Sequence, residues 1–463
     1  MVSNYYHIKP RKYLNLDPTF CPIALSLDYY ISQVIASQDY ECVTIGIKRN
    51  DNIIATYKTY VYNENHINAY YNEFYIERII KTLLWLKGGF EIMFKGPSTL
   101  GSFIKKTFSN QGARKFDVEF MEQIYHQPFN VVLLPDTYDL IENEKPQHIN
   151  RSLQGNRIGF DAGGSDRKVS AVINGKVVFS EEIIWHPKLH SDPMYHINGI
   201  KDSIKKAASY LPTIDTIGVS SAGVYINNQA RVASLFMKVP KDLFDKHIKN
   251  IYIDIAQEMG NIPIVVANDG DVTALAGSMS LEKNNVLGIA MGTSQAAGYV
   301  NQDGNFTGWL NELSFVPVDV SKDAPIEEWS KDLGCGSLYF SQDAVIRLAA
   351  NAHIEINQSL SPAEKLLYVQ KLAEQSDNRA LEVFKTIGVY LGYSLAFYYQ
   401  FYAMEHVLIL GRVTSGIGGE IILNEAQKVL HEEFLAIANH VTIQLPDEAS
   451  RRVGQSIAAA SLA

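Results

Sequence analysis

Four stretches of the sequence place glycines or carboxylates where a predicted strand ends. The first is FDAGGS over residues 160–165, in which a strand ends on Asp161 and is followed by Gly163 and Gly164. Because glycine has no Cβ, such a turn can bring backbone N–H groups against phosphate oxygens, and the aspartate can face a hydrated metal ion. The same residues also form ordinary hairpins, so this stretch alone leaves phosphate binding and a structural turn open.

Two later strand ends repeat the pattern. IAMGTS over residues 289–294 ends a strand in Gly-Thr and leads into a second strand, and LILGR over 408–412 is followed by a glycine-rich turn and a helix. Between the first two, VVANDGD over 265–271 brings Asn268 and Asp269 to the C-terminal end of a strand. In open α/β sheets that edge is where ligands bind, so these side chains are the candidate functional residues.

Predicted strands and helices, which must position these residues, alternate along most of the chain. CVTIGIKRNDNIIATYKTYVY predicts a hairpin that turns at Asn50-Asp51, and the apolar spacing from Ile67 predicts a helix ended by Gly88-Gly89. The polar stretch 140–156 has the composition of an interdomain linker. Beyond it, strands alternate with helices, which predicts an α/β architecture with a largely parallel or mixed sheet.

Three helices of this second part have distinctive sequences. LFDKHIKNIYIDIAQEMG has the 3.6-residue periodicity of a helix, and Ser361 followed by Pro362 and Glu364 predicts a capping box with proline at the first helical position. ALEVFKTIGVYLGYSLAFYYQFYAM carries apolar residues nearly all round, which predicts a helix buried between others.

Composition excludes several classes of function. The chain has 463 residues, 46% of them hydrophobic, and a net charge of −9, which argues against a nucleic-acid partner. The N-terminus lacks the apolar core of a signal peptide, and no apolar run is long enough to cross a bilayer, so we expect a cytoplasmic protein without a membrane partner. Cys21, Cys42 and Cys335 form no CxxC pair, which argues against disulfides and zinc knuckles.

In order and spacing, these motifs resemble the two-lobed actin-like ATPase (ribonuclease H-like) fold, and within it the ROK family of sugar kinases and repressors. GFDAGGSDRK is similar to the family's G-x-D-x-G-G-T-K, and VVANDGDVTALAG to V-E-N-D-A-N-A-A-A-L-G. GIAMGTSQAAGYVNQDGNFTGWLNELSF resembles the segment from L-G-T-G-x-G-G-G to A-G-E-x-G-H, and GCGSLYFSQDAVIRLA resembles G-C-x-E-x-Y-x-S-G-x-A-I. The resemblance runs from Asn156 to the C-terminus.

This resemblance implies a domain order. It predicts an additional N-terminal α/β domain over 1–150, a first lobe over 155–265 with 446–463, and a second lobe over 266–445. The role of the first domain stays open between covering the cleft and making an oligomer contact, such as that of a homodimer.

The resemblance also implies roles for individual residues. Asp269 matches the catalytic base, and Asn268 and Glu312 match sugar-binding residues. Asp161 matches the aspartate that faces hydrated Mg²⁺. The remaining matched positions are expected to bind ATP phosphates or its adenosine side: Gly163, Gly164, Ser165, Gly292, Thr293 and Gly411.

The sequence also departs from the family pattern. Phe315 replaces the histidine and Ser337 the glutamate of two sugar-binding motifs, while Ser294 and Ala297 stand where the second hairpin has glycine. A structural zinc site needs four nitrogen or sulfur ligands, and of the family's zinc motif only Cys335 remains. We therefore expect no zinc.

The expected function is ATP-dependent phosphorylation of a hexose or amino sugar, with Mg²⁺ and with Asp269 as general base. The departures favour an alternative, a sugar or nucleotide sensor with weak or no turnover on the same scaffold. A ROK-type repressor is disfavoured, because residues 1–150 predict a strand hairpin and no compact basic helical module.

Overall fold

The computed structural model describes residues 7–446 and 448–463, and only the backbone of 448–453. The first six residues lie outside this range. They are part of the N-terminal segment from which no signal peptide is expected. The elements up to Leu133 are α1 (Ile23–Ser37), β1 (Tyr40–Lys48), β2 (Ile54–Tyr62), α2 (Tyr71–Lys87), β3 (Glu91–Lys95), α3 (Ser98–Thr107), α4 (Lys115–Tyr125) and β4 (Asn130–Leu133).

The remaining elements follow residues 134–155, which contain no regular helix or strand. Up to Val300 they are β5 (Asn156–Ala162), β6 (Asp166–Ile173), β7 (Lys176–Ile184), α5 (Pro193–Ala208), β8 (Thr216–Ser221), β9 (Val224–Ile226), β10 (Gln229–Val232), α6 (Lys241–Leu243), α7 (Ile251–Glu258), β11 (Ile264–Asn268), α8 (Asp269–Leu281), β12 (Val286–Met291) and β13 (Gln295–Val300). After Val300 they are α9 (Gln342–Asn351), α10 (Pro362–Glu374), α11 (Asn378–Tyr398), β14 (His406–Leu410), α12 (Ile417–Glu433), α13 (Leu435–Ala438), β15 (Thr442–Gln444) and α14 (Glu448–Ala460).

The described residues form two compact units. Unit 1 contains the residues up to Lys145 together with Ile289–Ala296 and Gly308–Leu445, and unit 2 contains Pro146–Gly288, Ala297–Thr307 and Pro446–Ala463. The α/β architecture predicted from the alternation of strands and helices is confirmed.

Unit 2 is built on a five-stranded mixed sheet of order β11-β8-β5-β6-β7. The strands β11, β8 and β5 are parallel, whereas β6 and β7 continue the sheet antiparallel. Helix α14 packs closely on this sheet, because a Cβ on Gly159 of β5 or Gly218 of β8 would lie 1.7 Å from a carbonyl oxygen of that helix. Glycine at these two positions lets the helix approach the strands.

Unit 1 holds the N-terminal sheet, of order β2-β1-β3-β4, and helices α9 to α13. The predicted hairpin is confirmed, since β1 pairs antiparallel with β2 from Tyr40↔Tyr62 to Lys48↔Ile54. Helix α2 begins at Tyr71, later than the pattern from Ile67 predicts, because residues 63–70 form hydrogen-bonded turns.

A further sheet, of order β13-β12-β14-β15, carries the second glycine turn and the strand that precedes Gly411. Strand β14 pairs parallel with β15, from His406↔Thr442 to Leu408↔Gln444. The ends of β12 and β14 are therefore the fixed points from which the two glycine turns begin.

The two helix predictions for the C-terminal part are confirmed. Ser361 Oγ accepts the backbone N–H of Glu364, whose carboxylate accepts the backbone N–H of Ser361, and this completes the capping box of α10. Helix α11 is buried from Thr386 to Tyr398.

The prediction of one continuous helix in LFDKHIKNIYIDIAQEMG is wrong. Helix α6 is followed by a π-helical turn over Phe244–Ile248, and α7 begins only at Ile251. The Lys249 carbonyl accepts the backbone N–H of Ala230 in β10, which removes it from the helical hydrogen-bond ladder. A contact distant in sequence thus overrides the local periodicity.

None of the described helices is sufficiently long and apolar to span a bilayer.

Candidate active site

The first candidate residue, Asp161, lies near the end of β5, where it pairs with Ser220 of the parallel strand β8. Its side chain is buried, and the Ser220 hydroxyl donates a 2.6 Å hydrogen bond to Oδ1. Burial raises the pKa of Asp161 to about 7; the Ser220 hydrogen bond and Lys168 oppose the rise, and the charges of Asp269 and Asp166 add to it. A cation at this carboxylate would favour its charged form.

The turn that follows β5 is a tight glycine hairpin. The backbone N–H of Gly163 donates to the Asp166 carbonyl at 3.0 Å, and a Cβ on Gly163 would lie 2.9 Å from that oxygen. The Ser165 hydroxyl donates to Asp166 Oδ2 at 3.0 Å. The hairpin itself therefore places an acidic side chain next to the backbone that is expected to bind phosphate.

Asn268 and Asp269 lie at the end of β11, on the same sheet edge as Asp161. Ser221 of β8 pairs with Ala162 on one side and with Asn268 on the other, so the three parallel strands end in register. Asp269 is the first residue of α8, and burial raises its pKa, opposed by the N–H groups at the start of the helix and by Lys188. The structure thus brings together Asp161, Gly163, Asn268 and Asp269.

The amide of Asn268 already has two protein partners. Its Oδ1 accepts the backbone N–H of Gly270 at 2.7 Å and caps α8, while its Nδ2 donates to the Gly223 carbonyl at 2.7 Å. These bonds fix the turn that presents Asp269. Any sugar contact of Asn268 has to use the second N–H or the second lone pair of this amide.

A chain of hydroxyl groups lies under the same edge and was not assigned a role from the sequence. Ser221 Oγ is 2.6 Å from the hydroxyl of Tyr225 and 2.8 Å from that of Tyr252. Burial raises the pKa of Tyr225, and the charge of Asp269 raises it further. The sequence signal for these groups is the pair of serines that ends a buried strand in TIGVSS.

The second glycine turn and the Gly411 turn are neighbours within unit 1. Gly411 has φ +100°, and a Cβ on it would lie 2.4 Å from the carbonyl oxygen of Met291, the residue before Gly292. Gly292 donates its N–H to the Ser294 carbonyl at 3.0 Å, and Thr293 and Ser294 are exposed. Ala297 is buried, so its methyl group is not on the exposed face of the turn.

Glu312 follows Asn311, a residue of unit 1 with a positive φ and hydrogen bonds to other segments. Asn311 has φ +53° and is buried, and its Oδ1 accepts a 2.9 Å hydrogen bond from the Tyr402 hydroxyl. The backbone N–H groups of Asn311 and Glu312 donate to the carbonyls of Leu86 and Trp85, at 2.9 and 3.0 Å, at the end of α2. The N-terminal segment thereby holds the loop that carries Glu312.

Phe315, which replaces a histidine of the family pattern, belongs to an aromatic cluster. Its ring lies 4.2 Å from that of Trp85, 5.6 Å from that of Phe116 and 6.1 Å from that of Phe120, measured between centroids. Cys335 is fully buried, and burial raises the pKa of its thiol to about 12. Within residues 7–446 and 448–463, no group of three or more His, Cys, Asp or Glu side chains could hold a metal ion.

Ser337, which replaces a glutamate of the family pattern, has a buried hydroxyl for which the described residues provide no hydrogen-bond partner. A Cβ on the preceding Gly336 would lie 2.4 Å from Oε1 of Gln295 and 2.5 Å from the carbonyl of Leu313. The second hairpin, the residue after Glu312 and the Gly-Cys motif are therefore adjacent in unit 1.

No protein-family model and no curated protein matches the sequence. Solved structures do match: a ROK family glucokinase from Streptomyces griseus, solved with glucose and AMPPNP, has a TM-score of 0.51 at 17% identity, over 67% of this chain and 99% of that one. A ROK hexokinase from Thermus thermophilus has a TM-score of 0.51 at 15% identity, over 66% of this chain and 97% of that one. The chain thus shares the fold of these two structures over about two thirds of its length.

Proposed function

We propose that this chain is a ROK-type sugar kinase, which transfers the γ-phosphoryl group of ATP to a hydroxyl of a hexose or amino sugar. The proposal rests mainly on one observation: Asp161, the Gly163-Gly164 hairpin and Asp269 lie together at one edge of the unit 2 sheet. The fold shared with a glucokinase solved with glucose and AMPPNP supports the same reaction class. The domain boundaries inferred from the sequence remain part of the proposal.

The residues at this edge fit a magnesium nucleotide. The buried Asp161 lies in the field of a second carboxylate, Asp269, an arrangement that a divalent cation would stabilise. The hairpin adds a backbone turn without side chains at Gly163 and Gly164, which suits close approach of phosphate. When bound, Mg²⁺ would neutralise charge on the phosphate oxygens.

In this mechanism Asp269 is the general base. The sugar hydroxyl oxygen forms a bond to the γ-phosphorus, the bond between that phosphorus and the bridging oxygen to the β-phosphorus breaks, and the hydroxyl proton moves to the Asp269 carboxylate. The Asn268 cap holds the backbone of Asp269, and Glu312 orients the sugar. Gly292, Thr293 and Ser165 contribute phosphate contacts, and Gly411 the turn on the adenosine side.

Two observations favour a second candidate, a sensor that binds sugar or nucleotide without turnover. The amide of Asn268 is already hydrogen-bonded within the protein, and Ser294 places an exposed side chain on the second glycine turn. A screen of hexoses, N-acetylhexosamines and sugar acids with Mg-ATP, which measures ADP release against a sugar-free blank, separates the two. Sugar-dependent release is expected from a kinase, whereas sugar binding without release indicates the sensor.

The decisive variant is Asp269→Asn, which keeps the size of the side chain but cannot accept the proton. Turnover is expected to fall by about 10²–10⁴-fold, with sugar and nucleotide affinities changed only a few-fold. Asp254→Asn, on the exposed face of α7, is the control and should retain full turnover. A kinase whose Asp269→Asn variant turns over at a comparable rate would contradict the proposed base.

A further inference from the structure

The segment that follows β7 is fastened to the first glycine hairpin by a single residue. The backbone N–H of Trp185 donates to the Ser165 carbonyl at 3.1 Å, and its indole N–H donates to the Gly163 carbonyl at 2.8 Å. Trp185 is 2% exposed, and the chain then forms one 3-10 turn over Pro187–Leu189. The position of this turn relative to the hairpin is therefore fixed by two hydrogen bonds and a buried ring.

Lys188 of this turn lies beside the hairpin. A Cβ built on Gly164 would lie 3.3 Å from Cε of Lys188 and 3.6 Å from its Nζ. Lys168 of β6, by comparison, approaches Asp166 at 3.7 Å and Glu182 at 3.9 Å, whereas in the described part of the chain Lys188 has no carboxylate within ion-pair distance. The Lys188 ammonium is thus a partly exposed positive charge beside a turn without side chains.

The charge of Lys188 also reaches the proposed base. It acts on Asp269 and lowers the pKa of that carboxylate against the effect of burial. One ammonium group is therefore close to the hairpin turn and in the field of Asp269. In a phosphoryl transfer the migrating group passes between the phosphate-binding turn and the base, and its equatorial oxygens carry the charge to be stabilised.

We propose that Lys188 is a catalytic residue that binds the γ-phosphoryl group during transfer; this inference rests on the proposed kinase function. The hairpin has an acidic residue, Asp166, immediately after Ser165, and its own cation, Lys168, lies near Asp166 and Glu182. Lys188 is the ammonium beside the turn that has no carboxylate within ion-pair distance among the described residues. A lysine ammonium suits this position because it is a compact charge whose three N–H donors can follow a moving phosphoryl group.

Two nucleotides test the inference independently of turnover. Lys188→Met should weaken binding of Mg-AMPPNP, which has a γ-phosphoryl position, by about tenfold, and change binding of Mg-ADP less than twofold. Lys188→Arg should recover part of the AMPPNP affinity. Lys176→Met, at the exposed start of β7, is the matched control and should leave both affinities unchanged.

In kinetic assays with the sugar identified by the screen, Lys188→Met should lower kcat by about 10²-fold and leave the sugar KM within threefold. The acid limb of kcat/KM should shift to higher pH, since Asp269 would lose its neighbouring cation and keep Asp161 and Tyr225 as its charged or titratable neighbours.

The outcomes separate this inference from the proposed function. Equal losses of AMPPNP and ADP affinity, or no loss of either, would overturn the role of Lys188 alone. A wild-type protein that binds neither nucleotide would overturn the role of Lys188 together with the kinase proposal. Unchanged thermal unfolding of Lys188→Met would confirm that any loss is local.

Discussion

Oγ of Ser220 donates a 2.6 Å hydrogen bond to Oδ1 of Asp161 where the parallel strands β8 and β5 end side by side. This bond stabilises the carboxylate, but burial outweighs it, and the pKa of Asp161 is raised to about 7. The aspartate of the hairpin is therefore costly to ionise in the absence of a cation, and this has consequences for both stability and binding.

The first prediction is that Asp161→Asn stabilises the ligand-free protein at pH 8. In the unfolded chain the carboxyl loses its proton near pH 3.8, whereas in the folded chain it keeps the proton up to about pH 7. The stability that the protonated carboxyl contributes is fully present below pH 3.8 and is lost as the pH rises to 7. The neutral amide of the variant does not ionise, so the variant does not show this loss. The gain should be about 2–4 kcal/mol at pH 8 and close to zero at pH 4.

Unfolding of wild type and variant at the two pH values measures this difference. Asp303→Asn, which replaces an exposed carboxylate of unit 2, is the control and should change stability by less than about 0.5 kcal/mol at either pH. A variant less stable than wild type at pH 8 would indicate that the charged carboxylate has a partner in the ligand-free protein.

The second prediction concerns ligands. If Asp161 faces hydrated Mg²⁺, Asp161→Asn should weaken binding of a magnesium nucleotide by at least tenfold and leave sugar binding within about threefold. Calorimetric titrations of each ligand into the same variant make the comparison. Equal weakening of sugar and nucleotide would place the effect in folding and not in the metal site.

The third prediction is that Gly411→Ala is strongly destabilising. Gly411 combines φ +100° with a Cβ position 2.4 Å from the Met291 carbonyl oxygen, so alanine adds both backbone strain and overlap. We expect a loss of about 2–5 kcal/mol, against about 1–2 kcal/mol for Gly260→Ala, which has φ +110° but no atom within 4 Å of its Cβ. Denaturant unfolding measures the loss of unfolding free energy in each variant, and the difference between the two losses is the contribution of the overlap. Equal losses would show that the overlap contributes nothing.

The residues predictable from the sequence are those whose role is local. Asp161 and Gly163 form a turn between two adjacent strands, and the capping box at Ser361 needs only four residues, so pattern and chemistry suffice to predict both. The N-terminal hairpin turning near Asn50 is predictable for the same reason.

The residues that escaped prediction depend on contacts distant in sequence. Lys188 gains its position from two hydrogen bonds of Trp185 to the hairpin, and neither residue stands in a recognisable motif. The helix predicted from Leu243 is interrupted because Ala230 binds the Lys249 carbonyl. Periodicity within a segment carries no information about such partners.

The fourth prediction is that the purified protein contains no stoichiometric zinc. Phe315 and its aromatic neighbours occupy their part of unit 1 with apolar rings, which offer no nitrogen or sulfur ligand. Elemental analysis after dialysis without chelator is the measurement. One tightly held zinc ion per chain would contradict both the ligand count and the alignment on which it rests.

The last prediction is that Tyr402→Phe impairs use of the sugar more than stability alone explains. The Tyr402 hydroxyl donates to Oδ1 of Asn311, whose φ of +53° sets the direction in which the chain enters Glu312. Loss of this bond should let the loop relax, raise the sugar KM by about three- to tenfold and leave the ATP KM within twofold.

Tyr30→Phe is the matched control, because the Tyr30 hydroxyl donates the same kind of bond to Oδ1 of Asn72 at 2.7 Å and is equally buried in unit 1. Both variants should lose about 1 kcal/mol of stability, since each leaves one buried amide oxygen without its hydroxyl donor. Only Tyr402→Phe should change the sugar KM. If both variants raise the KM equally, or if neither does, the effect is not transmitted through Asn311, and Glu312 loses its assignment as the residue that orients the sugar.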